Sequence, residues 1–156
     1  MLSVICPIYN EEKYIAKCIE SIVQQDYPKD KLEILFVDGM STDHTREIIE
    51  QYTKEYPYIR IIDNPDKVVP HAMNRGIMAS TGDVIIRLDA HAVYPTNYFS
   101  KLIEGLHQHQ ADNVGAQCRT LPVNQSTTSI AIAEALASSF GVGNAMFRIG
   151  ITEDMA

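Results

Sequence analysis

A carboxylate and an imidazole follow a short apolar segment, one residue apart. Residues 84–91 predict a buried, central strand that ends in Asp89 and His91. Because side chains alternate along extended backbone, both should point to the same side, where they can hold one divalent cation. The alternative is an acid that caps a turn beside a solvated histidine. Two ligand-type residues alone do not decide between these interpretations.

Polar residues also follow two other predicted strands. Residues 2–6 lead to Tyr9, Asn10 and Glu11 after Pro7, and residues 32–37 lead to Asp38. Ligands of open α/β sheets bind at the carboxyl ends of the strands. Three polar groups at one such edge predict a binding crevice.

The elements that position these groups alternate between strand and helix along the chain. Predicted strands are 2–6, 32–37, 59–62, 84–88 and 114–118; predicted helices begin at Glu11, near Asp43, at about 70 and after 94–97, with helical composition at 126–140. This order predicts an α/β fold with a parallel-dominated sheet, helices on both faces and right-handed crossovers. Arg87, a charge inside an apolar strand, is expected to pair with a nearby acid.

Composition limits the classes of protein that remain. The chain has 156 residues, 46% of them hydrophobic, which suits one domain over 1–156. Its net charge of −7 argues against a nucleic-acid partner. Three cysteines without a C-x-x-C pair indicate reduced thiols in a cytoplasmic protein. No stretch has the roughly 20 apolar residues that a membrane span needs.

Five short motifs, in order, then resemble a known family. Over about residues 2–120, the chain is similar to the nucleotide-sugar-binding half of a family 2 glycosyltransferase of GT-A fold. It is most similar to the bacterial exopolysaccharide enzymes of this family, in which the aspartate of the metal motif is also followed by Ala-His. The motifs are Pro7-Ile8-Tyr9-Asn10-Glu11-Glu12, Asp38-Gly39-Met40-Ser41-Thr42-Asp43-His44-Thr45, Asn74-Arg75-Gly76, Thr81-Gly82-Asp83 and Leu88-Asp89-Ala90-His91.

The resemblance implies a nucleoside site at the first two strand ends. Pro7, Tyr9 and Glu11 match the loop that holds uracil and ribose, and Asp38 matches the acceptor of the uracil N3–H. Glu11 can instead complement the start of a helix. Ser41 and Asp43 are expected to shape the loop and cap the second helix rather than touch a ligand.

The resemblance also implies contacts to the rest of the donor. Asn74 and Arg75 match a nucleotide-contacting helix, where Arg75 can bind a phosphate or form a surface ion pair. Asp83 matches a residue that lines the sugar-nucleotide site. Asp89 and His91 match the D-x-D motif, which binds Mn²⁺ or Mg²⁺ across the diphosphate, and the histidine favours Mn²⁺.

The implied function is inverting, metal-dependent transfer of a sugar from a nucleotide-sugar donor, expected to be a UDP-sugar, to a saccharide or glycolipid acceptor in polysaccharide biosynthesis. The expected location is the cytoplasm, including the inner face of the membrane. Inversion needs a general base, which the family carries in its acceptor half. Glu153-Asp154 is interpreted as a tail, so the base is expected beyond Ala156 and the chain as a donor-binding half.

Two further expectations concern alternatives and assembly. A non-catalytic nucleotide-binding or assembly module remains the alternative function, because no base is identified in the chain. A Rossmann dehydrogenase is disfavoured, since no glycine-rich phosphate loop follows the first strand. Apolar residues within 130–147 predict self-association through an exposed surface.

Overall fold

A computed structural model describes residues 1–142 and 145–149. The chain divides into two compact units, residues 1–100 and 101–156, which are described separately. Glu153 and Asp154 lie outside the described residues. In the described part, no helix combines the length and apolar character that a membrane crossing requires.

The first unit contains a four-stranded parallel sheet in the order β3-β2-β1-β4. The strands are β1 (Leu2–Ile8), β2 (Leu32–Asp38), β3 (Ile59–Asp63) and β4 (Val84–Arg87). β1 and β2 are almost wholly buried and rich in β-branched residues, which suits strands covered on both faces. The register places Asp38 opposite both Ile8 and Asp63, so three strands end at one level.

Helices connect these strands, as the alternating pattern predicted. They are α1 (Ile15–Val23), α2 (Thr45–Glu55) and α3 (Val69–Ala79), with a 3₁₀ turn at Lys29–Lys31 before β2 and α4 (Tyr98–Gln108) after β4. The second unit continues with α5 (Thr127–Leu136), α6 (Ser139–Val142) and α7 (Met146–Ile149). Ser126 caps α5 through a bond from the Ser129 N–H, within the segment predicted to be helical.

Helices cover both faces of the sheet, which confirms the predicted fold class. On one face Ile5, Leu35 and Val37 pack with Ala72 of α3. On the other, the buried residues of α1 include Cys18, whose thiol meets that of Cys6 on β1. Neither cysteine is exposed, as expected of reduced thiols in apolar surroundings, whereas Cys118 is exposed.

The close packing of α3 depends on one glycine. A Cβ atom on Gly76 would lie 2.5 Å from Cγ2 of Ile5, closer than carbon atoms approach. Only a residue without a side chain therefore lets α3 lie this near to β1.

Four local predictions differ from the structure, and the first is that α1 begins at Ile15 rather than at Glu11. β1 continues through Pro7 instead of ending before it. Proline has no N–H to donate, but β4 has already ended at this level, so no hydrogen bond between the two strands is lost. β4 is short and forms the outer strand among the described residues rather than a central one, so Arg87 is exposed and pairs with Asp89 at 3.3 Å. Residues 114–118 form no strand; Gly115 and exposed neighbours give this segment little tendency to pair.

A buried carboxylate ties the amino ends of the sheet together. Glu33 accepts hydrogen bonds from Ser3 Oγ at 2.6 Å, from Thr81 Oγ1 at 2.9 Å and from the Thr81 N–H, and it pairs with Arg60 at 2.8 Å. Burial alone would raise the pKa of Glu33, but these bonds outweigh it and lower the pKa from 4.5 to about 2. The ionised form therefore stabilises the folded state.

We predict that Glu33→Gln destabilises the protein by on the order of 3 kcal/mol at pH 7. The folded pKa lies below the unfolded one, so this contribution is present above about pH 4.5 and is lost as the pH falls towards 2. Urea unfolding at pH 7 and at pH 3 measures both effects. Glu20→Gln, an exposed change on α1, is the control. An equal loss in the two variants, or one independent of pH, would contradict the prediction.

Candidate functional site

A cavity of about 300 Å³ opens at the carboxyl edge of the sheet. Its walls come from the segments that follow β1, β2, β3 and β4 and from the start of α3. The lining residues are Pro7, Ile8, Tyr9, Glu11, Gly39, Asn64, Lys67, Val68, Val69, Ala72, Arg87, Asp89, Ala90 and His91. Five of the nine predicted site residues therefore line one cavity.

The loop after β1 is held in place by the loop after β2. Asn10 adopts a left-handed backbone conformation with φ 55°, which asparagine tolerates well. Its N–H donates to Ser41 Oγ at 3.0 Å, and its Oδ1 accepts from the Thr42 N–H at 2.8 Å. The Glu11 N–H donates to the buried Thr45 Oγ1 at 2.7 Å. These bonds fix Tyr9 and Glu11 at the cavity wall.

Asp38 is buried beneath the cavity rather than open to it. Its side chain is 1% exposed, and Oδ1 accepts from both the N–H and the hydroxyl of Ser41, at 3.0 and 2.6 Å. Oδ2 lies 3.4 Å from Nη1 of Arg46, which also binds Asp63 at 2.6 Å. Both oxygens of the predicted uracil acceptor are thus engaged within the protein.

The second motif otherwise acts as expected, with one difference. Ser41 and Asp43 shape the loop, since Asp43 accepts from the N–H groups of Glu12 and Thr45. The N-cap residue of α2 is His44, which makes no side-chain capping bond. Asp43 therefore secures the start of α2 from the position before the N-cap.

Asn64 is a cavity residue that the sequence interpretation missed. Its backbone N–H donates to the Asp38 carbonyl at 2.7 Å, and its Nδ2 donates to the Val68 carbonyl at 3.2 Å. Asn64 is 1% exposed, and its Oδ1 is the buried side-chain atom that lacks a hydrogen-bond partner in the described part of the chain. An unpaired buried acceptor at a cavity wall is costly unless a ligand donates to it. Its place just after β3 was the available sequence signal.

Asp89 and His91 line the cavity, but the backbone between them is not extended. β4 ends at Arg87, and Ala90 and His91 form a turn. The prediction that both side chains point to the same side assumed extended backbone, which the structure does not have here. Both side chains reach the cavity through the turn instead. Oδ1 of Asp89 accepts from Arg87, and Nδ1 of His91 lies 3.3 Å from Glu11 Oε1.

The donor set is compatible with a hard or intermediate divalent cation. The described residues contain no group of three side chains suited to hold a metal alone. Mg²⁺ in particular is commonly bound through one or two carboxylates together with substrate phosphates and water. Asp89 supplies one carboxylate and His91 one imidazole, at a cavity that Lys67 and Arg87 also line.

Three other predicted site residues do not line the cavity. Asn74 and Arg75 are exposed on α3 and do not line the cavity; Arg75 pairs with Asp66 at 2.8 Å. Asp83 lies at the opposite edge of the sheet, where it pairs with the amino terminus of Met1 at 2.7 Å, and that ammonium lowers the pKa of Asp83. The length of β1, about 20 Å, separates it from the cavity.

The four-stranded parallel sheet, with helices on both faces and a cavity at its carboxyl edge, is an α/β arrangement of the GT-A type. The sequence profile of glycosyl transferase family 2 matches residues 3–146, and the chain belongs to this family. It is 34% identical over 149 residues to the succinoglycan biosynthesis protein ExoA of Rhizobium meliloti, covering 94% of this chain and 44% of that protein.

Two further relatives extend the comparison. A dolichyl N-acetyl-alpha-D-glucosaminyl phosphate 3-beta-D-2,3-diacetamido-2,3-dideoxy-beta-D-glucuronosyltransferase of Methanococcus voltae is 44% identical over 102 residues, 64% of this chain and 32% of that protein. The mannosyltransferase PcManGT of Pyrobaculum calidifontis, solved with GDP-Man and Mn²⁺, is similar with a TM-score of 0.67 and 28% identity, over 86% of this chain and 39% of that one. The chain thus spans less than half the length of these relatives.

Proposed function

We propose that the protein is an inverting, metal-dependent glycosyltransferase. It transfers a sugar from a UDP-sugar to a saccharide or lipid-linked acceptor in polysaccharide biosynthesis, in the cytoplasm. The observation that carries the proposal is one cavity with an unpaired buried acceptor, Asn64 Oδ1, and an Asp89/His91 pair. Membership in the family and similarity to a protein named for succinoglycan biosynthesis support it.

The uridine end of the donor is assigned to Tyr9, Glu11 and Asn64. Tyr9 is 46% exposed, so its ring is free to stack on a base. The uracil N3–H is assigned to Asn64 Oδ1 because this oxygen has no partner among the described residues, whereas both Asp38 oxygens already accept hydrogen bonds within the protein. Asp38 then acts through the Ser41 loop. Glu11 is placed to accept from ribose hydroxyls.

The diphosphate end is assigned to the segment that follows β4. Asp89 and His91 would hold Mn²⁺ or Mg²⁺, and the bound ion would neutralise charge on the nucleoside diphosphate leaving group. Lys67 and Arg87 line the same cavity and provide further positive charge for phosphate oxygens. Arg75 would contribute only after leaving Asp66, and Asp83 is omitted from the site. The Mn²⁺ complex of PcManGT supports the metal assignment.

The general base is proposed to lie outside the described residues. The acids that line the cavity are Glu11 and Asp89, and each faces a basic side chain. A carboxylate committed to donor or metal is poorly placed to deprotonate an acceptor hydroxyl. We keep the expectation that the acceptor half carries the base.

Exposed apolar residues of the second unit, including Ile132 and Phe147, agree with self-association or with cover by such a half.

We predict that UDP binds at least about tenfold more tightly with Mn²⁺ than with EDTA, as expected when ligand and metal share a site. Asp89→Ala should abolish this difference while leaving uridine affinity unchanged. Calorimetric titration measures both ligands. Asp30→Ala, which removes an exposed acid outside the cavity, is the control. Equal UDP affinity of the wild-type protein in Mn²⁺ and in EDTA would refute the metal assignment.

We further predict that Asn64→Ala weakens uridine and UDP alike, by about three- to tenfold, because one hydrogen bond to the base is lost. Asn74→Ala removes the same amide from an exposed position outside the cavity and should have a smaller effect. Thermal unfolding of both variants separates lost binding from lost stability. If Asn74→Ala were the more harmful, the predicted contact from α3 would replace the one from Asn64.

A polypeptide of these 156 residues should bind the donor without appreciable sugar transfer. General-base assistance contributes roughly 10²–10⁴ in rate, and acceptor positioning adds more. Transfer from UDP-sugars to saccharide and lipid-linked acceptors can be compared between this polypeptide and one that is extended by a further domain of roughly a hundred residues. Transfer by the shorter form would mean that its base lies within residues 1–156. Donor binding without transfer by both forms would favour the non-catalytic module.

A further inference from the structure

The turn that carries Asp89 is closed by a tyrosine hydroxyl. Tyr94 Oη accepts a hydrogen bond from the Asp89 N–H at 2.9 Å and donates one to the Asp89 carbonyl at 3.0 Å. The Ala92 N–H and the Cys18 thiol also donate to this carbonyl, at 3.3 and 3.8 Å. Both backbone polar groups of Asp89 are thus held by one side chain, although β4 has already ended.

Tyr94 is itself anchored to elements of the sheet and helix scaffold. Its backbone N–H donates to Ser21 Oγ at 3.2 Å, and Ser21 is a buried residue of α1 that donates to the Cys18 carbonyl at 2.7 Å. Its ring packs against Tyr98 with 5.0 Å between centroids. The hydroxyl therefore has a fixed position relative to α1.

The same Tyr94 hydroxyl serves as acceptor for one of these bonds and as donor for the other. A protonated hydroxyl can donate to the Asp89 carbonyl and accept from the Asp89 N–H at once, as the two distances require.

We propose that Tyr94 is a positioning residue that sets the placement of the Asp89 carboxylate for the metal and the diphosphate. The inference rests on the proposed metal role of Asp89. Asp89 has left the sheet ladder, so the bonds that orient it come from Tyr94 and its neighbours in the turn rather than from a paired strand. Groups that orient a metal ligand commonly alter metal affinity by about 10- to 100-fold when removed.

The matched test is Tyr94→Phe, which removes the hydroxyl and keeps the ring packed on Tyr98. Tyr52→Phe is the control, because Tyr52 of α2 is also half-buried and stacks on Tyr56, which follows that helix, and neither residue lines the cavity. Two readouts are needed: hydrogen exchange of the Asp89 amide by NMR, and the affinities for UDP and uridine in Mn²⁺ and in EDTA.

We expect about tenfold faster exchange at Asp89 and about tenfold weaker UDP binding in Mn²⁺ for Tyr94→Phe, with uridine affinity unchanged. Unchanged exchange at Asp89 would overturn the inference. Equal losses for uridine and UDP with a lower unfolding temperature would also overturn it, since they indicate a general structural role. If wild-type UDP affinity is independent of Mn²⁺, the proposed metal role fails, and faster exchange at Asp89 would still support the positioning of its backbone.

Discussion

The level at which three parallel strands end determines where the cavity forms. Asp38 lies opposite Ile8 on one side and Asp63 on the other, so the chain leaves the sheet at one height in three places. Each loop is therefore within hydrogen-bond reach of its neighbour. Arg46 bridges Asp38 and Asp63 at this level, and the Asn64 N–H closes onto the Asp38 carbonyl. The register of the strands therefore determines the positions of the segments that form the cavity walls.

Much of the second motif serves the scaffold rather than a ligand directly. Ser41 binds both Asp38 and the Asn10 N–H, and Thr45 binds the Glu11 N–H. These contacts join the loop after β1 to the loop after β2 through side chains that do not line the cavity. A buried polar network of this kind orders exposed loops because each bond would be costly to leave unmade. Tyr9 and Glu11 are therefore held at the cavity wall by contacts on the side of the loop away from the cavity.

Sequence analysis could predict the fold because its signals are local. The buried strands are continuous apolar runs, and the helices show regular apolar spacing, so α3 falls within one residue of its predicted start. What was missed depends on distant partners. A strand at 114–118 needs a neighbour to pair with, and the position of β4 at the edge follows from topology.

The site residues divide in the same way. Strand-end position alone predicted that Asp89, His91 and the loop after β1 lie at the carboxyl edge of the sheet, where they line the cavity. It could not reveal that the Asn64 oxygen lacks a partner, because that depends on where Val68 lies after folding. The same rule places Asp83 at the far edge of the sheet, because its motif precedes β4, and its assignment to the site came from the resemblance alone.

Gly76 has a consequence for the size of the cavity. The helix that carries it also provides Val69 and Ala72 to the cavity wall, and it lies against Ile5 at a distance that excludes even one methyl group. A side chain at this position would displace α3 away from the sheet, and the gap between the first turn of α3 and the sheet edge would then widen. The width of the cavity between α3 and the sheet edge is therefore limited by the absence of a side chain at Gly76, on the face of the helix that is turned away from solvent.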